Sequence, residues 1–507
     1  MTDLSGRGAI VESFSIIGLY GYRDVSMSSS QGATILIARN GSGKTTLLAA
    51  MDAFLNCRFG RLSGVDFTEI RCKLAGEVEI SLSAQDIEAM MLVPDSADFI
   101  SFSRRVDVGA ADLLDFIMND YNPAFSHHKF SDLEVFKKIK SKFSYSTRDA
   151  RRAIDKVYDS LRGRVPSIDV ARDILSRRLK DVEIIYLPTY RRIELALGEP
   201  SEDAYGRRRP SVQSRLGISR KGLFNTDIQF GLGDISERLR ELNGRLLYES
   251  NQGYREISAN IINDMLDGSF ERDTPSLVDR PGKEALALFF SRLQQGGDRF
   301  LNHFENVRIP DIDRIYNEGA ETDSSNKFLN YFLGKLNSVI VATRSIEGLV
   351  EDFTSNCNAY LNAGDASVEL GENAVSAYDD VKVLEIDRLT LQVRVLSKAA
   401  GRSVPMDSLS SGEKQMVSLF AKLFLYDGPK IVLIDEPELS LSIDWQRKIL
   451  IDVVNAPTCA QLIAITHSPF VFDNELEPFA RPLSLLIRPF SNIDAETFEF
   501  DGERDGE

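Results

Sequence analysis

The stretch Thr34-Ile35-Leu36-Ile37-Ala38-Arg39-Asn40-Gly41-Ser42-Gly43-Lys44-Thr45-Thr46 constrains this chain more than any other. Apolar and β-branched residues run into a glycine-rich turn. Lys44-Thr45-Thr46 then opens the helix-like run Leu47 to Leu55. The order strand, glycine-rich loop, helix is that of a phosphate-binding loop. Gly41 and Gly43 let backbone N–H groups turn inward around an anion. Lys44 supplies a point charge to the β- and γ-phosphates. The Thr45 hydroxyl is placed to ligand Mg²⁺, and the helix turns its positive end toward the phosphates. Asn40, Gly41, Ser42, Gly43, Lys44, Thr45 and Thr46 are therefore the nucleotide-binding candidates. The usual pattern has glycine where this chain has Ala38, the mildest replacement available there.

Three more motifs arrive far downstream. Leu409-Ser410-Ser411-Gly412-Glu413-Lys414-Gln415 precedes an apolar helical run, Met416 to Leu425, and so offers a second anion-binding helix start. Ile431-Val432-Leu433-Ile434 reads as a buried strand with Asp435 and Glu436 at its C-terminal end, where open α/β sheets bind ligands. Asp435 is placed to hold Mg²⁺ through water, and Glu436 to orient and polarise an attacking water. Leu462 to Thr466 is another buried run, ending in His467, which is placed to meet the γ-phosphate. Each motif alone has an ordinary explanation, a solvated turn or a structural histidine. Their order and spacing are what make a set: 25 positions from Ser410 to Asp435 and 32 from Asp435 to His467.

The 507 residues have room for more than one domain, and 43% hydrophobic with 27% charged residues describes an ordinary globular chain. Residues 1–8 lack an apolar signal core and no run of 18 apolar residues occurs, so no export or membrane-spanning segment is predicted, and no membrane partner. Cys57, Cys72, Cys357 and Cys459 are scattered without metal spacing, which predicts small core residues in a reducing cytoplasm. A net charge of −16 argues against wholesale coating of nucleic acid. Yet residues 131–180 carry 14 Lys+Arg against 7 Asp+Glu, and residues 206–222 carry six basic residues and no acidic one, including Arg207-Arg208-Arg209. Such patches suit a nucleic-acid backbone or an acidic partner, or are simply a solvated surface.

In chain order, strands are predicted over Ala9–Ile17, Tyr22–Met27, Ala33–Ile37 and Glu77–Leu82. Tyr20 and Tyr22 read as packing residues, with base stacking as the other possibility. Gln85, just past a strand end, is a candidate for touching Mg²⁺ and the attacking water. Residues 104–180 read as helical, Val182–Tyr186 as a strand returning to the sheet, and 206–222 as a loop. Further helices are predicted over 233–268, 283–304 and 327–362, though Ser338–Ala342 is rich in β-branching. Glycine and proline interrupt every candidate for a long heptad coiled coil. Strands resume over Val381–Ile386 and Thr390–Leu396.

The chain resembles the ABC-type ATPases of the branch containing SMC, RecF and OLD-like proteins. Asn40-Gly41-Ser42-Gly43-Lys44-Thr45 matches Walker A, and Leu409-Ser410-Ser411-Gly412-Glu413 the signature motif. Ile431 to Glu436 matches Walker B, and His467 the switch histidine. The resemblance implies an α/β ATPase head with a mixed sheet and flanking helices, assembled from residues 1–103 and 381–480. A large, mainly helical insertion would occupy 104–380, with a head strand near 182–187, and an acidic tail 481–507. It implies Mg²⁺-dependent hydrolysis of ATP, with Glu436 and His467 catalytic and Thr45, Asp435 and Gln85 at the metal. It also implies a homodimer, or a higher oligomer of dimers, with Ser410, Ser411, Gly412 and Glu413 facing the nucleotide of the opposite subunit.

A finer resemblance is to the ATPase subunits of two-gene anti-phage systems such as PARIS and Septu. It is carried by Ile434-Asp435-Glu436-Pro437-Glu438-Leu439-Ser440-Leu441, Trp445-Gln446, Thr466 to Phe470 and Tyr186 to Arg192. Ser442 departs from both models, since transporters have Asp there and many OLD-like proteins His. This resemblance implies a sensor or scaffold triggered by a phage protein and controlling a separate effector, a nuclease, because no HNH pattern, zinc cluster or Toprim carboxylate set is evident in the chain. The alternative is a DNA-repair ATPase of the RecF kind that uses the basic segments on duplex DNA.

Overall fold

The computed structural model describes residues 7–39, 41–121, 133–188, 232–267, 280–300, 310–317, 324–362, 381–439 and 441–487. Asn40, Ser440, Thr189 to Arg192, the basic loop 206–222 and the tail beyond Ile487 lie outside them. Strand β1 (Val11–Leu19) and strand β2 (Arg23–Ser28) pair antiparallel with Ile16 opposite Val25. Strand β3 (Ala33–Ile37) leads through the glycine-rich turn into helix α1 (Lys44–Leu55), which is buried along almost its whole length. Strand β4 (Glu69–Leu74) lies on the other side of β1, and β5 (Ile80–Ser83) pairs with it. A capping box of Ser83 and Asp86 starts helix α2 (Ala84–Met91).

Helices α3 (Ala97–Val106), α4 (Ala110–Asp115), α5 (Glu134–Lys142), α6 (Thr147–Leu161) and α7 (Pro166–Leu179) follow. Each hides one stripe. In α6, Ala150, Ile154, Val157 and Leu161 are buried while the Lys/Arg-rich face stays outside. Pro166 opens α7 at its first turn, where a missing N–H costs nothing. Strand β6 (Glu183–Leu187) then forms where a returning strand was predicted.

Next come helices α8 (Leu232–Leu266), α9 (Lys283–Phe300), α10 (Ile312–Asn317) and α11 (Ser324–Leu361). Leu286, Phe289, Phe290 and Leu293 of α9 form a core with Leu333 and Leu336 of α11. The β-branched run near 338–342 stays helical because Val339 and Ile340 pack against that core, which overrides their local preference. Strands β7 (Lys382–Asp387), β8 (Gln392–Ser397) and β9 (Arg402–Val404) make a small antiparallel sheet. Helix α12 (Ser411–Leu425) ends this unit.

Strand β10 (Lys430–Asp435), helix α13 (Ile443–Asn455), strand β11 (Cys459–Thr466) and the short strands β12 (Ala480–Pro482) and β13 (Ser484–Ile487) complete the described chain. Instead of the one mixed sheet expected, two five-stranded sheets form. One is parallel, in the order β12-β3-β11-β10-β6; the other is antiparallel, in the order β13-β2-β1-β4-β5. Burial on both faces explains why Ile431–Ile434 of β10 and Leu462–Ile465 of β11 read as unbroken apolar runs.

The chain forms two compact units, one from residues 1–229 with 427–507, the other from 230–426. These limits differ from the predicted 104–380 insertion. Phe99, Leu113, Phe136, Ile154, Ile168 and Leu175 belong to the same core as Phe14, Phe54, Ile431 and Leu433. Helices α3 to α7 thus belong to the unit that carries the phosphate loop. The signature motif, Ser410 to Glu413, belongs to the other. No described helix is long and apolar enough to cross a membrane.

Candidate nucleotide-binding site

The parallel sheet sets the site. β3 and β11 run side by side with Ile37 opposite Thr466, and β10 lies on the far side of β11 with Asp435 opposite Ile465. Their C-terminal ends therefore release the phosphate loop, the carboxylates and His467 at one edge. The Ala38 N–H donates to the Thr466 carbonyl at 3.3 Å, so the replaced glycine still begins the loop with a backbone tie. Gly41 (φ +79°) and Gly43 (φ +89°) are left-handed, and among the described residues no side chain caps α1. First-turn N–H groups are thereby left to an anion. The Ser42 hydroxyl is buried with no hydrogen-bond partner among the described residues. Arg23 donates to the Gly41 carbonyl at 2.6 Å, and its guanidinium lies 5.0 Å from the Tyr20 ring centre and 5.1 Å from that of Tyr22.

Lys44 is 5% exposed and its Nζ meets Glu436 Oε1 at 2.6 Å, across 392 positions of chain. Glu436 adopts φ +52° and its N–H donates to the Ile465 carbonyl at 2.8 Å. A non-glycine residue held in that region is a strain found at functional sites. Asp435, 1% exposed, closes β10 just before it. His467 Nδ1 lies 3.9 Å from Glu436 Oε1 and 2.9 Å from Glu438 Oε1. The structure thus brings together Lys44, Glu436 and His467, with Gly41, Ser42, Gly43, Thr45, Thr46 and Asp435 on the elements that carry them.

Thr45 lies half-buried in the first turn of α1, and α1 is in contact with β10. A hydroxyl and a carboxylate are hard oxygen donors. Mg²⁺ needs few protein ligands because phosphate and water fill the rest of its shell. Thr45 and Asp435 therefore fit Mg²⁺. Among the described residues no cluster of three or more His, Cys, Asp or Glu would hold a metal by itself. Gln85 is exposed at the start of α2, with no hydrogen bond to these residues.

Ser410 starts α12 with a capping box: its Oγ accepts the Glu413 N–H at 3.4 Å, and Glu413 Oε2 accepts the Ser410 N–H at 2.5 Å. Lys382 Nζ donates to the same Glu413 oxygen at 3.0 Å. Ser410 is exposed and Gly412 buried.

Sequence reasoning passed over Glu438, Arg23 and Gln446 as site residues. Glu438 is 6% exposed; the signal available in the sequence was a third acidic residue just past the end of a strand. Gln446 donates to the Glu438 carbonyl at 3.2 Å and accepts from Ser468 Oγ at 3.0 Å, tying α13 to the His467 turn.

The family model described as "AAA domain, putative AbiEii toxin, Type IV TA system" matches residues 272–473, which include Ser410 to His467. The chain is 26% identical to the retron Vc95 probable ATPase of Vibrio cholerae serotype O1 biovar El Tor. That match covers 55% of this chain and 58% of the relative's own length. Among solved structures, it is similar to the Smc head domain with an extended coiled coil bound to the C-terminal domain of ScpA, from Pyrococcus furiosus. There the identity is 13% over 94% of this chain and 96% of that one, with a TM-score of 0.34, too low to carry an argument. The matched family is described as an AAA domain, and the relative is named a probable ATPase.

Proposed function

We propose that this chain hydrolyses ATP with Mg²⁺ and works as the sensor or scaffold subunit of an anti-phage defence system, controlling a separate effector. The observation that carries the hydrolytic part is the meeting of Lys44, Glu436 and His467 at one sheet edge. Lys44 would neutralise the phosphates, Thr45 and Asp435 would hold Mg²⁺, and bound Mg²⁺ would draw charge from the phosphoryl oxygens. Glu436 would take a proton from the attacking water, and His467 would meet the γ-phosphate.

The defence part rests on the resemblance carried by Ile434 to Leu441 and Thr466 to Phe470. The toxin–antitoxin wording of the matched family and the retron name of the relative are in keeping with it. Two copies would sandwich ATP, each lending its Ser410–Gly412 loop to the other. The effector, a nuclease on this reading, and a phage trigger would be separate proteins.

The test is ATP binding and hydrolysis with purified protein, with and without Mg²⁺. Lys44→Ala should abolish ATP binding. Glu436→Gln should keep ATP bound while hydrolysis falls about 10²- to 10⁴-fold, the usual contribution of a general base. Hydrolysis by Glu436→Gln at the wild-type rate would refute the assignment. Co-purification with the product of the neighbouring gene tests the effector.

A further inference from the structure

We infer that Glu438 is a positioning residue that fixes which nitrogen of His467 faces the phosphates; this rests on the ATPase reading above. Glu438 lies in the turn that follows β10, its side chain 5% exposed. A carboxylate so buried needs donors on both oxygens. Oε2 accepts the Thr466 hydroxyl at 2.8 Å. Oε1 accepts the His467 N–H at 3.1 Å and lies 2.9 Å from His467 Nδ1. Among the described residues no lysine or arginine forms an ion pair with Glu438. All three groups on its carboxylate thus come from the Thr466–His467 segment.

The same turn is held from its other side. Thr466 Oγ1 accepts the Ser468 N–H at 3.0 Å, and Gln446 bridges Ser468 Oγ to the Glu438 carbonyl. His467 is therefore clamped through backbone and ring together, although its side chain is 46% exposed. An imidazole has two nitrogens, and a bond at one decides the state of the other. With Nδ1 hydrogen directed at Glu438, Nε2 is the atom left to meet a phosphoryl oxygen. Without Glu438 the ring can rotate and exchange its nitrogens, with the phosphate loop unchanged.

A merely structural strut would also close the turn, so the experiment reads the ring itself. Selective ¹⁵N-histidine labelling, with His467→Ala to assign the signals, reports which nitrogen carries hydrogen. Wild-type His467 should show a protonated Nδ1, and Glu438→Ala should lose that signature. Glu438→Gln keeps size and an acceptor oxygen and serves if the alanine variant fails to fold; it should shift the Nδ1 signal. Unchanged His467 signals in a folded variant would overturn the inference. In the kinetic arm, Glu438→Ala should lower kcat about ten- to a hundred-fold, as loss of an outer-shell partner does elsewhere, and leave the KM for ATP nearly unchanged. In the His467→Ala background the same change should cost little more. If the two losses multiply instead, Glu438 acts independently of His467 and the inference fails. Should the wild type prove inactive on ATP, the ATPase reading falls, while the ¹⁵N spectra still decide the clamp.

Discussion

At the scale of the residue, conformational freedom and charge decide what the loop can do. Gly43 is left-handed, and a Cβ there would lie 3.3 Å from Leu19 Cδ2 and 3.4 Å from Val25 Cγ2. The left-handed conformation costs an L-residue about 1–2 kcal/mol. Gly43→Ala should therefore lower the melting temperature by roughly 2–8 °C. It should also weaken ATP binding, because the N–H groups of the first turn move with the backbone. Calorimetry with and without ATP checks both; unchanged melting and affinity would mean that the loop tolerates a side chain. Glu436 is the opposite case, a residue with a Cβ held at φ +52° between β10 and its turn. Ties to Ile465 and Lys44 hold it there.

At the scale of the element, α1 couples the loop to the core. Asp52 is buried about two turns beyond Lys44. Burial lifts its carboxyl above the ordinary value of 3.8, against the opposing pull of Arg58, Arg61 and the Asn56 hydrogen bond. A carboxyl raised on folding binds more protons in the native state than in the unfolded one. The native state thus loses stability as pH rises from the unfolded pKa through the folded one, and the loss is complete above it. Asp52→Asn keeps the oxygen that accepts from Asn56 and removes the titration. Relative to wild type it should be more stable at pH 8 than at pH 4, measured as urea midpoints. The opposite trend would show that the two arginines outweigh burial. On β11, Gln461 is wholly buried and binds the strand to β1 through the N–H groups of Ile10 and Val11 and the Val11 carbonyl. One side chain therefore joins the parallel sheet to the antiparallel one.

At the scale of the whole molecule, the phosphate loop and the signature motif belong to different compact units. If two copies complete each other's sites, as proposed, the exposed Ser410 is the residue that must meet foreign nucleotide. Ser410→Arg, placed in the Glu436→Gln background that retains ATP, should leave ATP bound to single copies and prevent the ATP-driven dimer. Light scattering with and without ATP reads this. A dimer that still forms, or ATP binding lost along with it, would sink the shared-site proposal. Loss of the Ser410 cap alone costs about 1 kcal/mol of helix stability, too little to unfold the unit.

The residues by themselves determined the strand–loop–helix around Lys44 and the carboxylate pair at the C-terminal end of β10. Glycine positions, apolar runs and polar strand ends are local signals that no packing is needed to read. They also determined β6, whose β-branched run stands out between α7 and a proline. β4 was missed although Glu69 to Leu74 alternates, because only Ile70, Cys72 and Leu74 are apolar in so short a run, which gives little contrast. The tertiary structure alone decided that α3 to α7 join the phosphate-loop unit, since any amphipathic helix hides its stripe against whichever core lies nearest. It alone also decided that Glu436 reaches Lys44 and that Glu438 turns in to His467. Those contacts depend on which strands lie side by side and in what register, a choice made by the packing of segments hundreds of positions apart.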